Sequence, residues 1–145
     1  MFEKILVATD GSEHGMKAAN VAIQLGKLSG GTVTAIYVAD TSRTSQIPDD
    51  MLSLQIHDLL FKEGQETGMQ VEKLAKEAGV NFELVISEGN PGIEIINYAE
   101  KAAMGVIVIG TVGRTGLDRF LLGSVAEKVV RNSKIPVLTV PREQA

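Results

Sequence analysis

The sequence contains no cysteine, no tryptophan and only two histidines. Without cysteine the chain forms no disulfide, no thiolate zinc site and no cysteine nucleophile. No apolar run approaches the roughly 18 to 20 residues of a membrane span. The opening MFEKILVATDGS has the pattern of a strand and carries an acidic residue, which argues against a signal peptide. We therefore expect a cytoplasmic protein that is not bound to a membrane.

Several functional motifs are also absent from the sequence. No GxxxxGK[ST] loop occurs, and the first strand leads into TDGSEHG instead of a GxGxxG turn. There is no G-x-S-x-G elbow, no His-x3-His pair and no Asp/Glu cluster with metal-ligand spacing. We expect His14 to face solvent and His57 to be structural. These absences argue against P-loop hydrolysis and NAD chemistry, and we assign no catalytic residue.

The charge balance is modestly acidic and uneven along the chain. The formal net charge is −4, with 14 Lys+Arg against 18 Asp+Glu. An acidic balance argues against nucleic acid as a partner. Basic residues nevertheless outnumber acidic ones within residues 105–145. This part of the chain either concentrates positive potential around a small anion or owes its surplus to chance.

Apolar runs and helical periodicity alternate along the whole chain. Runs rich in Val and Ile predict five strands, over KILVATDG, TVTAIYVAD, VNFELVISEG, GVIVIG and IPVLTVP. Four helices are predicted between them. The first begins after a Ser12 cap, the second runs from about Met51 to Ala78, the third begins after an Asn90 cap with Pro91 as its first residue, and the fourth covers SVAEKVVRN. Continuous apolar runs are typical of strands buried on both faces. We predict an α/β fold, a single domain over residues 1–145, with an open five-stranded parallel sheet and helices on both faces.

The strand order decides where such a sheet binds a ligand. Open parallel sheets bind ligands beyond the carboxyl ends of the strands, where the winding direction reverses. In the order 3-2-1-4-5, strands 1 and 4 are neighbours, and Asp10 then lies beside Gly110 and Gly113. An order such as 2-1-3-4-5 would put the reversal elsewhere, and the spacing of the runs does not choose between the two orders.

The segment GTVGRTGLDRFLLGS, residues 110–124, follows the fourth strand and holds four glycines and two arginines. Glycine lets backbone approach a ligand closely, and the first amides of the next helix carry partial positive charge. This combination is suited to phosphate, and Arg114 is placed to neutralise its charge, whereas Arg119 is expected to remain solvated. The alternative is a flexible connection in which Ser124 and Glu127 form an S-x-x-E capping box without a ligand.

The sequence resembles the universal stress protein family, and within it the subgroup that binds ATP. The resemblance spans the chain and is carried by ILVATDGS, IVIGTVGRTGL and GSVAEKVVRNSKIPVLTV. The nucleotide motif of the family, G-x2-G-x9-G-[ST], is matched by Gly110, Gly113, Gly123 and Ser124. One departure is Val112, where the family often has His, which removes a polar side chain but no backbone donor. The resemblance implies the order 3-2-1-4-5, an adenine nucleotide alpha hydrolase-like fold, and ATP with Mg²⁺ or Mn²⁺ as the ligand.

The same resemblance implies a set of nucleotide-binding positions. Near the adenine and ribose it places Ala8, Thr9, Asp10 and the backbone of Val38. Around the ribose and the chain of phosphates it places Gly110, Thr111, Gly113, Arg114, Thr115 and Gly116. At the β- and γ-phosphates it places Gly123, Ser124, Val125 and Ala126. Asp10 would accept ribose hydroxyls or help to hold the metal ion, and its structural alternative is a turn-forming residue in TDGS.

The resemblance also implies a partner and a role. Family members commonly dimerise through the last strand, here Pro136 to Val140, and two such edges pair in a two-fold arrangement. The alternative is a monomer whose edge is protected by Pro136, Pro141 and Arg142. The leading hypothesis is a regulatory ATP-binding protein of the stress response, whose occupancy changes dimer or partner contacts through residues 40–55. The other hypotheses are a slow ATPase or autophosphorylating enzyme, and an interaction module that binds no nucleotide.

Overall fold

The computed structural model describes residues 1–41, 50–111 and 123–141. Within these ranges five strands and four helices alternate: β1 (Lys4–Ala8), α1 (Glu13–Ser29), β2 (Thr32–Asp40), α2 (Asp50–Glu77), β3 (Asn81–Gly89), α3 (Pro91–Lys101), β4 (Val106–Gly110), α4 (Ser124–Asn132) and β5 (Val137–Val140). Every strand pair is parallel, and the order is β3-β2-β1-β4-β5. The predicted α/β fold and the order 3-2-1-4-5 are confirmed, and the order 2-1-3-4-5 is excluded.

The local sequence explains where α1 and α3 begin. The Ser12 hydroxyl caps α1 by accepting a hydrogen bond from the Gly15 amide at 3.1 Å. Asn90 caps α3 by accepting from the Ile93 amide at 3.3 Å. Such caps satisfy amides that have no acceptor within the helix. Pro91 follows in the first turn of α3, where its missing N–H costs nothing. Both predicted caps are confirmed.

The helix α2 packs closely against the sheet at two glycines. A β-carbon on Gly64 would lie 2.7 Å from the Tyr37 ring, and one on Gly68 would overlap the Leu84 side chain. Positions four residues apart lie on one helix face. Gly64 and Gly68 therefore allow α2 to approach β2 and β3. Although α2 has 28 residues, none of the helices within the described ranges combines the length and hydrophobicity needed to cross a membrane.

Helices cover the sheet on both faces. Successive strand residues point to opposite faces, so Ile5 and Val7 of β1 pack under α1 and α2, while Leu6 packs under α3 and α4. The first cluster includes Ala18, Ala22, Ile23, Val71 and Ala75. The second includes Ile95, Ala99, Ala126 and Val129. The continuous apolar runs in the sequence reflect this burial on both faces.

The winding direction reverses between β1 and β4. The chain leaves β1 for α1 on one face and leaves β4 for α4 on the other. The two strands are nevertheless paired neighbours in the sheet. The helices α1 and α4 therefore lie on opposite faces, and a crevice forms at the carboxyl edge of the sheet.

Candidate functional site

A cavity of about 510 Å³ occupies this crevice. Its volume falls within the roughly 300–1,000 Å³ that is usual for small-molecule sites. The lining comes from the carboxyl ends of β1, β2 and β4 and from all four helices: Ala8, Thr9, Asp10, Gly15, Ile36, Tyr37, Val38, Asp40, Leu60, Pro91, Ile95, Ile109, Gly110, Gly123, Ser124, Val125 and Ala126. The carboxyl ends of β1 and β4 therefore meet at one site, as the strand order predicts.

The end of β1 forms a tight polar turn at the cavity. One carboxylate oxygen of Asp10, Oδ1, accepts from the Ser12 amide at 2.9 Å and from the Ser12 hydroxyl at 2.5 Å. This is the Asx turn that the sequence offered as the structural alternative for Asp10. The turn also fixes the carboxylate at the cavity wall, so that Asp10 has a structural role and lines the site as well.

Gly15 allows the first turn of α1 to lie against this polar turn. A β-carbon at Gly15 would lie 2.9 Å from Asp10 Oδ1 and 3.1 Å from the Thr9 hydroxyl oxygen. Both distances are shorter than ordinary contacts between carbon and oxygen. Any larger residue at this position would therefore displace the Asp10 carboxylate from its place at the cavity.

The N-terminus of α4 forms another wall of the cavity. The first intrahelical hydrogen bond runs from the Glu127 amide to the Gly123 carbonyl at 2.8 Å. The amides of Ser124, Val125 and Ala126 precede this bond and therefore have no acceptor within the helix. All three residues line the cavity. The partial positive charge of the helix N-terminus is thus located at the cavity wall.

The capping-box alternative for this helix is wrong. A capping box needs Ser124 before the helix, but Gly123 is the N-cap and Ser124 is the first helical residue. Glu127 instead pairs with Arg131 one turn later, at 2.9 Å. The Ser124 side chain is exposed and lies at the cavity, where its hydroxyl remains accessible to a ligand.

The two ends of the glycine-rich segment are held together. The Gly123 amide donates to the Thr111 carbonyl at 2.8 Å, and the Thr111 amide donates to the Val140 carbonyl of β5 at 3.0 Å. Thr111 is buried and fixes the backbone, while Gly110 and Gly123 on either side line the cavity. The other positions predicted in this segment, Gly113, Arg114, Thr115 and Gly116, lie outside the described residues.

The side of the cavity next to β2 is largely apolar, and we call it the β2 side. Five of its lining residues are aliphatic or proline: Ile36, Val38, Leu60, Pro91 and Ile95. The Tyr37 hydroxyl donates to Glu63 Oε2 at 2.7 Å and so joins β2 to α2. A cavity whose lining combines an apolar side with a helix N-terminus suits a molecule that has a flat apolar part and an anionic part.

His57 joins α2 to the end of β3, one turn before the cavity residue Leu60. Its Nε2 lies 3.0 Å from Glu88 Oε2, and its Nδ1 lies 3.9 Å from Asp58 Oδ1. The pKa of His57 is raised, first by the hydrogen bond with Glu88, then by the Glu88 charge, with a smaller contribution from Asp58. The imidazolium form therefore holds α2 against β3 more strongly than the neutral form does.

No group of three His, Asp or Glu side chains within residues 1–41, 50–111 and 123–141 is arranged to hold a metal ion. Asp10 is the carboxylate that the sequence named for this role. Within the described part of the chain, Asp10 does not belong to a group of three such ligands.

Several residues that line the cavity were not predicted from the sequence: Gly15, Ile36, Tyr37, Asp40, Leu60, Pro91, Ile95 and Ile109. For two of them the sequence itself indicates a position at the cavity. Asp40 ends a strand and Pro91 follows one, so both belong to the carboxyl edge of a parallel sheet. The sequence does not indicate that Leu60 lines the cavity, because its position depends on how α2 packs over β2.

Comparison with known proteins gives close relatives over nearly the whole chain. The sequence profile of the universal stress protein family matches residues 1–141. Universal stress protein MJ0531 of Methanocaldococcus jannaschii is 44% identical over 142 residues, which cover 98% of this chain and 84% of the relative. The solved structure of hypothetical protein MJ0577, from the same organism, has a TM-score of 0.87 at 27% identity and covers 100% of both chains.

Two more distant structures share the fold and contain a nucleotide. A universal stress protein in complex with cAMP has a TM-score of 0.69 at 24% identity, over 96% of each chain. The universal stress protein from Archaeoglobus fulgidus in complex with dAMP has a TM-score of 0.71 at 22% identity, over 98% of this chain and 100% of that one. The match of the family profile and the identity with MJ0531 decide the assignment: the chain belongs to the universal stress protein family.

Proposed function

We propose that this protein is a cytoplasmic, regulatory ATP-binding protein of the stress response, acting as one domain over residues 1–145. One observation carries the proposal. The amides of Ser124, Val125 and Ala126, which have no acceptor within α4, line the same cavity as an apolar wall from β2, α2 and α3. Helix N-termini bind phosphate because their amides and their partial charge both favour an anion.

In this proposal the nucleotide lies across three strands. The phosphates contact the N-terminus of α4, the ribose lies over β1 near Asp10, and the base lies on the β2 side near Val38 and Leu60. Neighbouring strands are about 4.8 Å apart, so β2 and β4 are separated by about 10 Å with β1 between them. This separation leaves room for the ribose and the first phosphate between the base and the helix.

Two further arguments support an adenine nucleotide with a metal ion. The family members in complex with cAMP and dAMP contain the same base and share this fold. A triphosphate brings high negative charge, which Mg²⁺ or Mn²⁺ neutralises, and these ions prefer oxygen ligands. Asp10 lines the cavity between the proposed base and phosphate positions and offers a carboxylate for this purpose.

We also propose that the protein is a homodimer in which β5 pairs with its copy. β5 is an edge strand of the sheet, and its Leu138 side chain is 41% exposed. Nucleotide binding in the cavity would change the surface that α2 exposes, because Leu60 of α2 lines the cavity. The first turns of α2 expose Met51, Leu52 and Leu54, an apolar surface suited to a protein partner that responds to the nucleotide.

A charge placed at the start of α4 separates nucleotide binding from stability. Ser124→Asp puts a carboxylate in the first helical turn, which stabilises a helix by about 0.3–1 kcal/mol. The same carboxylate repels a bound phosphate. Thermal unfolding without ligand should therefore give an equal or higher Tm for the variant. ATP at about 100 times its Kd stabilises a binding protein by about 2.7 kcal/mol, and we expect this stabilisation in the parent protein but not in Ser124→Asp.

Gln70→Glu is the matched control, because it adds the same charge on the exposed surface of α2. This variant should keep the full response to ATP. A parent protein whose Tm does not respond to millimolar ATP would contradict the proposed function. An unchanged response in Ser124→Asp would contradict the position of the phosphates at α4.

A further inference from the structure

We propose that Asp40 selects adenine over purines that carry a carbonyl group at position 6. The inference rests on the proposed function, since it concerns the base of the nucleotide whose phosphates lie at α4. It assigns a specificity role to a residue that the nucleotide motif does not include.

The position of Asp40 brings its carboxylate to the β2 side of the cavity. Asp40 is the last residue of β2, lines the cavity and is exposed. Strand residues two apart point to the same face, so Asp40 follows Val38, which packs on the α3 and α4 side. Its neighbour in the β2–β3 pairing is Gly89.

The geometry of the sheet assigns this carboxylate to the base. β1 lies between β2 and β4, so Asp40 is two strand spacings, about 10 Å, from the strand that leads to α4. A phosphate chain next to Asp40 would be repelled by its charge. The apolar residues on this side, Leu60 and Ile95 among them, suit the faces of a purine, and Asp40 then meets an edge of the ring.

The chemistry of that edge distinguishes the purines. A carboxylate only accepts hydrogen bonds. Adenine carries an amino group at position 6, which donates, whereas guanine and hypoxanthine carry a carbonyl oxygen there, which accepts. An amino group therefore donates a hydrogen bond to the Asp40 carboxylate, which can accept several, while a carbonyl oxygen in the same place is repelled by its negative charge.

ATP and inosine triphosphate isolate this contact, because the two nucleotides differ in the group at position 6 of the base. The Kd of each is measured by calorimetry for the parent, for Asp40→Asn and for Glu83→Gln. The Asn amide both donates and accepts, so it serves either base. We expect the parent to prefer ATP by about tenfold, and Asp40→Asn to reduce this preference to about twofold or less. Glu83→Gln removes the same charge from an exposed position of β3 opposite Thr34 and should keep the preference.

The competing role for Asp40 is a contact with the ribose, and 2′-deoxy-ATP tests it. If Asp40 contacts the base, Asp40→Asn weakens ATP and 2′-deoxy-ATP by the same factor. A loss that disappears with 2′-deoxy-ATP would overturn the inference, as would an unchanged ratio of the two Kd values in Asp40→Asn. A parent that binds neither ATP nor inosine triphosphate would overturn the proposed function and this inference with it, whereas the other two outcomes leave ATP binding intact.

Discussion

At the scale of single residues, the pair His57–Glu88 makes stability depend on pH. Glu88 raises the pKa of folded His57 above the ordinary value of 6.5, mainly through its hydrogen bond and its charge. The folded state therefore binds this proton more tightly than the unfolded state does. The resulting stabilisation is complete below about pH 6.5 and is lost as the pH rises through the raised pKa of the folded protein.

The pair is tested by the Tm of His57→Gln relative to the parent at two pH values. The difference in Tm should be larger at about pH 5.5 than at about pH 8.5. Glu88→Gln should reproduce this pattern, while Glu83→Gln on the same strand should not. A destabilisation of His57→Gln that is equal at both pH values, or larger at the higher one, would show that the ion pair does not link α2 to β3.

At the scale of elements, β5 is the edge strand through which the proposed dimer forms. The Pro136 carbonyl accepts from the Ile107 amide of β4, and the Val140 carbonyl accepts from the amide of Thr111, directly after β4. By alternation, the N–H and C=O groups of Thr139 point away from β4. Thr139→Pro removes one outward donor without breaking the contact with β4, and proline is tolerated on edge strands. We expect the parent to have twice the 15.5 kDa mass of one chain in sedimentation, and Thr139→Pro to be monomeric.

Thr139→Ala keeps the amide and should remain dimeric. A monomeric parent would contradict the proposed dimer, and a dimeric Thr139→Pro would show that the subunits meet on another surface.

The elements themselves were largely predictable, because their signals are local. Ser12 and Asn90 precede their helices and cap them, and Val/Ile runs mark the strands. The role of Gly64 and Gly68 was not predictable, since glycine in a helix indicates only a lower helix propensity. Their contacts with Tyr37 and Leu84 depend on residues in other strands. Likewise, S-x-x-E at Ser124 suggested a capping box, but the helix begins one residue earlier than that motif requires.

At the scale of the whole molecule, the strand order was predicted from the family resemblance, and the position of the cavity was then predicted from the strand order. The spacing of the runs is compatible with two strand orders, and the order found places Asp10 and Gly110 at one cavity. Residues next to strand ends were therefore predictable as site residues. Leu60 and Ile95 reach the cavity from helices that cross the sheet, and a linear sequence carries no signal for how those helices pack.

The central claim is that one nucleotide extends from the N-terminus of α4 to the β2 side of the cavity. Titration of ¹⁵N-labelled protein with ATP, followed by NMR of the backbone amides, tests it most directly. We predict that the largest changes occur together at Ser124, Val125, Ala126 and Val38, while the amide of the exposed Leu28 on α1 stays unchanged. Changes that leave the amides of Ser124, Val125 and Ala126 unmoved at saturating ATP would contradict the account.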